Sequence, residues 1–175
     1  MLTRLFKPRP ALVAGRELYN RVVPQARRTE LYLTLGALDT AEGRFELYTL
    51  HVYLLLERLK GQGPQAAETA QVLFDTYASA LDNALREMGV GDMSVGRRMR
   101  KLGEAFYGRV NSYEKALAAL PDQGPLNALL ARTVFEGVEG ADTAPLAAYL
   151  LKQRETLAAQ PVSDLLDGVV AWSAS

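Results

Sequence analysis

The chain has 175 residues, 49% hydrophobic and 23% charged, a balance that suits one packed domain and excludes a disordered segment. It has no cysteine, which removes disulfides, thiolate nucleophiles, zinc–thiolate sites and iron–sulfur clusters together. The formal net charge is zero but unevenly spread: through Arg28, seven cations stand against the single Glu17, an excess of six that the remainder must balance.

Glycine and proline punctuate the sequence, and between them the apolar period is helical. Residues 1–9 form a short arm that mixes Leu2, Leu5 and Phe6 with Arg4, Lys7 and Arg9. Such a mixture dips apolar groups into a lipid interface while cations meet anionic groups, so Arg4, Phe6, Lys7 and Arg9 are candidate membrane or ribosome contacts. The start has no apolar h-region, so no secretory leader is expected and the protein should stay where it is made, in the cytoplasm. The longest apolar run, residues 52–56, is far short of the roughly 20 residues that cross a bilayer.

A helical body is expected over residues 10–175. The first helix spans about residues 10–28, with Pro10 in its first turn and Pro24 kinking or ending it. A short segment, 29–35, follows and stops at Gly36. Asp39 or Thr40 then caps a helix with two apolar stripes, one through Phe45, Tyr48, Val52, Leu55 and Leu59, the other through Leu47, Leu50, His51 and Leu54. A helix apolar on so much of its circumference belongs in the middle of the fold.

The next helix, 65–88, carries Ala70, Leu73, Phe74, Tyr77, Leu81, Ala84, Leu85 and Met88 at helical spacing, and Gly89 ends it. Its successor, 94–120, carries Val95, Met99, Leu102, Phe106, Val110, Tyr113, Leu117 and Leu120. Phe74, Leu81, Met99 and Phe106 are expected to be mostly buried and within mutual reach. Three shorter helices are predicted over 125–137, 145–160 and 163–172. The fold class is all-α, a bundle of about six to seven helices.

Catalytic chemistry lacks its parts. His51 is the only histidine, so no His-based triad or multi-histidine metal site can be assembled. The acids of 39–42 and 164–167 read as helix-start caps. The glycines of MGVGDMSVG lack the GK[ST] of a phosphate loop and read as a helix connection. Haem ligation by His51, with Met88, Met93 or Met99 as partner, has no CxxCH beside it. A buried neutral imidazole bonded to a polar neighbour is the preferred reading. No catalytic residue, metal or cofactor is predicted.

Binding is better supplied. Arg97, Arg98, Arg100 and Lys101 place four cations in five positions, with no carboxylate between Asp92 and Glu104. Like charge this dense near a helix N-terminus opposes the macrodipole, which points to an anionic partner. Tyr107 and Arg109, farther along the same helix, complete the candidate partner-binding set.

Two stretches resemble a known family: LYLTLGALDTAEGRFELYTLHVYLLLERLK, and AQVLFDTYASALDNALREMGVGDMSVGRRMRKLGEAFYGRVNSYEKAL. Their order and spacing are similar to the ubiquinol–cytochrome c chaperone family in its shorter bacterial form. The likeness runs over about residues 3–117, with a family-like core of about 29–117 and less typical helices over 121–175. Leu38 stands where members often carry proline, a minor departure because Asp39 and Thr40 keep the cap. The resemblance implies a non-enzymatic assembly factor for the respiratory cytochrome bc complex. It would hold newly made cytochrome b or another subunit, at the inner face of the inner membrane and with possible ribosome contact, as mitochondrial relatives do beside a small partner protein. The alternative, from another class, is a helical lipid- or quinone-binding protein with an apolar cavity.

Overall fold

The computed structural model describes residues 9–174. Eight helices and no strand occur among them: α1 (Pro10–Ala26), α2 (Thr29–Leu33), α3 (Ala41–Leu59), α4 (Pro64–Glu87), α5 (Asp92–Ala118), α6 (Gly124–Arg132), α7 (Ala144–Ala159) and α8 (Val162–Leu166). The count exceeds the expected six to seven because the short segment after α1 is a five-residue helix of its own, α2.

The centre is α3. Thr40 caps it, its Oγ1 accepting from the Gly43 N–H at 2.9 Å, whereas Asp39 pairs with Arg44. Gly43 is required there, since any Cβ would collide with the Leu38 carbonyl. From Glu46 through Leu55 every residue but Tyr48 is buried, because α1, α4, α5, α7 and α8 pack around this helix.

Helix α1 presents Ala11, Ala14, Leu18 and Val22 inward, the spacing of one helical face. Pro24 sits in its last turn, and the helix ends two residues later at Ala26. At Gly15 an added Cβ would lie 2.6 Å from Val72 Cβ, so α1 and α4 approach more closely than any side chain permits.

Helices α4 and α5 form a long hairpin, hinged at Gly89, whose φ of +78° suits glycine. Its root is core: Leu73, Tyr77, Phe106 and Tyr113 are buried. Its far end departs from expectation. Ala84 and Met88 are exposed, and Met99 is only half-buried and lies outside the main apolar cluster. Phe74 does meet Phe106, with ring centroids 5.0 Å apart, and Leu81 packs half-buried against the core. The periodicity correctly gave each helix an inward face. It did not reveal that, among the described residues, only Leu85 and Val95 are buried between Leu81 and Phe106.

The C-terminal third closes the bundle. The helix expected over 163–172 stops at Leu166, since Gly168 turns with φ +78° and residues 169–174 run back non-helically. Two buried glutamines of α7 hold this strand-like tail. Gln160 donates to Val169 O at 3.1 Å and accepts from Ala171 N at 3.0 Å. Gln153 donates to Ser173 O at 3.2 Å and accepts from Ser173 N at 2.8 Å. Each side-chain amide thus does what a neighbouring peptide does in a sheet.

Candidate functional site

The cationic cluster lies in the first turns of α5, a helix that starts with Asp92 and no side-chain cap. Arg97, Arg98, Arg100 and Lys101 are all exposed, and among the described residues none makes an ion pair. The flanking acids leave them alone. Asp92 pairs with Arg86, which also holds Asp82 at 2.8 Å. At about 100° per residue, Met93, Arg97, Arg100 and Tyr107 share one stripe of α5, opposite buried Val95 and Phe106. Tyr107 is 65% exposed, with its ring resting on Phe74 and Phe106 at centroid distances of 5.7 and 5.9 Å.

Arg109 does not belong to that surface. Its guanidinium turns inward to Glu46, with Nε 2.7 and 2.9 Å from the two carboxylate oxygens and Nη2 2.6 Å from one. Glu46 is only 5% exposed, on the inward side of α3. The hydrogen bonds to Glu46 raise the Arg109 pKa above its ordinary value, so the guanidinium stays charged. This pair ties α5 to α3 and makes Arg109 a positioning residue. The signal was present: a glutamate flanked by buried-type residues on the most apolar helix demands a cation.

His51 is fully buried, with Nδ1 2.7 Å from the Leu47 carbonyl and Nε2 2.7 Å from the Tyr149 hydroxyl. The carbonyl can only accept, so Nδ1 carries the proton. Burial lowers the pKa from 6.5 to about 4, against the raising effect of the Leu47 bond, so the ring is neutral and Nε2 accepts from Tyr149. Tyr149 in turn accepts from Gln25 Nε2 at 2.8 Å, and the Trp172 ring stands edge-on to the imidazole at 5.4 Å. Both nitrogens are therefore engaged within the protein.

Two further contacts escaped sequence reasoning. Arg58 donates to the carbonyls of Leu157 and Gln160, each at 2.8 Å, which closes the orphan end of α7. Arg154 binds Glu57 on α3 at 2.8 Å. Together with Glu155 they line a depression of about 460 Å³ with charged side chains.

Of the predicted arm, Arg4, Phe6 and Lys7 lie outside the described residues. Arg9 is exposed and 3.6 Å from Glu68 on α4. No helix among the described residues is long and apolar enough to cross a membrane.

The architecture has a close solved counterpart. The crystal structure of the Cbp3 homolog from Brucella abortus superposes with a TM-score of 0.86, at 34% identity, over 99% of this chain and 97% of that one. Ubiquinol-cytochrome c reductase complex assembly factor 1 is 26% identical over 163 residues in both mouse and human. These alignments take in 91% of this chain but 55% and 54% of the mouse and human proteins, so the chain spans little more than half their length. The ubiquinol-cytochrome C chaperone family matches over residues 33–172. That match extends well past Leu117, so the C-terminal helices are as much part of the likeness as the two quoted stretches. With most of its length matched and the fold shared end to end, the chain belongs to the ubiquinol-cytochrome C chaperone family.

Proposed function

We propose that this chain is an assembly chaperone for the ubiquinol–cytochrome c reductase complex, without catalysis of its own, and that its client is newly made cytochrome b or another subunit. The observation that carries the reading is the family match over residues 33–172, joined to a fold shared over nearly the whole chain. The lone imidazole has both nitrogens bonded inside the protein. What α5 offers outward is Arg97, Arg98, Arg100, Lys101 and Tyr107, a surface for binding.

The client is a membrane protein, so the chaperone works at the cytoplasmic face of the inner membrane as a peripheral protein. A contact with the ribosome through the basic arm around Arg9 would bring it to the nascent client. Deleting the gene should lower cytochrome b and the assembled complex while other respiratory complexes keep their levels. Normal cytochrome b in the deletion strain would refute the assignment.

A further inference from the structure

The far half of the α4–α5 hairpin is thinly anchored. Between Leu81 and Phe106 only Leu85 and Val95 are buried among the side chains of both helices. The connection exposes two large apolar residues, Met88 at 66% and Met93 at 95%. Neither contributes to the core. Immediately behind them come the four unpaired cations: with a rise of 1.5 Å per residue, Arg97 lies about 6 Å and Lys101 about 12 Å along the axis from Met93. Two acids flank the turn: Asp92, held by Arg86, and Glu87, exposed at the end of α4, so the four cations outnumber them.

This layering of apolar tip and cationic collar matches the layering of an anionic bilayer surface. Apolar side chains of a peripheral protein reach about 5–10 Å into the boundary between head groups and acyl chains. Cations belong at the level of the phosphates, and arginine stems are long enough to reach it from either side. An RNA surface would satisfy the cations and leave both methionines in water. A client helix requires a groove, and the turn of a two-helix hairpin is convex. A deformable lipid surface accepts both features together, and flexible methionine adapts to it.

We propose that the α4–α5 tip is a membrane-docking element, in which Met88 and Met93 enter the interfacial layer of an anionic bilayer while Arg97, Arg98, Arg100 and Lys101 bind lipid phosphate. The inference rests on the peripheral placement proposed above.

The test is co-sedimentation of the full chain with vesicles of phosphatidylcholine alone, and of phosphatidylcholine mixed with phosphatidylglycerol, at two ionic strengths. The parent should bind only the mixed vesicles, and less at high salt. Replacing all four cations by Gln should weaken binding about tenfold or more. Met88→Ser with Met93→Ser should weaken it severalfold while keeping its dependence on salt. All these positions are exposed or half-exposed at the surface, and circular dichroism verifies that each variant folds. If the parent ignores mixed vesicles, both the tip and the peripheral placement fall. If the parent binds and the cation variant binds equally, the tip alone is refuted, and membrane contact belongs to the arm around Arg9. A methionine variant that matches the parent also overturns the proposal. So does loss of RNA binding by the cation variant with vesicle binding intact.

Discussion

Replacing His51 by Gln should change how stability depends on pH, by an amount the structure specifies. The folded protein holds the imidazole neutral, with a pKa lowered by burial to about 4, whereas an unfolded histidine protonates near 6.5. Between those values the unfolded chain binds a proton that the folded chain refuses. The contribution is thus complete above pH 6.5 and is lost as pH falls toward 4. Each unit is worth about 1.4 kcal/mol, so roughly 2 kcal/mol has gone by about pH 5. Glutamine does not titrate. At neutral pH, His51→Gln costs about 1–3 kcal/mol, because Tyr149 and Leu47 lose partners set by ring geometry. The gap between parent and variant should then narrow by roughly 2 kcal/mol on going to about pH 5, since only the parent carries the protonation penalty. Urea unfolding followed by the fluorescence of Trp172, the sole tryptophan, measures both proteins on one probe. Carboxylates that titrate over the same range cancel in the difference. A gap that stays constant with pH would refute the neutral, buried imidazole, and with it the assignment of the proton to Nδ1.

Other consequences concern packing and charge. Phe106→Ala should destabilise by about 3–5 kcal/mol in the same assay, because Phe106 is 2% exposed and meets both Phe74 and Tyr77. Arg109→Met should cost about 3–5 kcal/mol by stranding the Glu46 carboxylate, and adding Glu46→Gln should recover a large part; additive losses would show that the two residues do not interact. Gly15→Ala, which forces a Cβ against Val72, should lower the unfolding free energy by about 1–3 kcal/mol, although alanine is otherwise the better helix former. Lys60→Gln, which removes an exposed partner of Glu114, should change stability by less than about 1 kcal/mol.

The parts of the fold that could be read in the sequence are those that local chemistry decides. The first turns holding Pro10 and Pro125, the cap before α3 and the stop at Gly89 all follow from single residues acting on their own neighbourhood. The central place of α3 follows from composition alone, since no surface helix tolerates the run from Leu47 to Leu55. What could not be read depends on contacts distant in the chain. Tyr149 meets His51 across 98 positions and Arg58 meets Leu157 across 99. The tail beyond Gly168 has helical periodicity in Val169, Val170 and Trp172, yet the glutamines of α7 offer its backbone better partners than another turn of helix would. At the candidate surface, the density of charge in Arg97 to Lys101 was visible. That Arg109 turns away from it was legible in the helical phase, which sets it on the side of Val95 and Phe106, but its pairing with Glu46, 63 positions away, was not.

The polar contacts divide the molecule into two mechanical regimes. In the body, buried and part-buried hydrogen bonds and ion pairs cross between helices: Glu46 with Arg109, Glu57 with Arg154, Thr49 with Tyr77 at 2.9 Å, and Tyr149 with both His51 and Gln25. Such groups are costly to leave unpaired, so they fix one arrangement of α1, α3, α4, α5 and α7. Among the described residues, the ion pairs beyond Leu81, from Arg86 to Asp82 and Asp92, lie on the surface and close within the hairpin. Opening free energy follows buried contact, so the tip is the part of the described chain that can deform at least cost to the rest. The proposed docking of the tip on a deformable bilayer uses that distribution, since the tip can adapt while the body keeps one arrangement. Adding apolar anchors at Met99 or Ala84 would stiffen the tip, and so trade reach for a stability that the body already has.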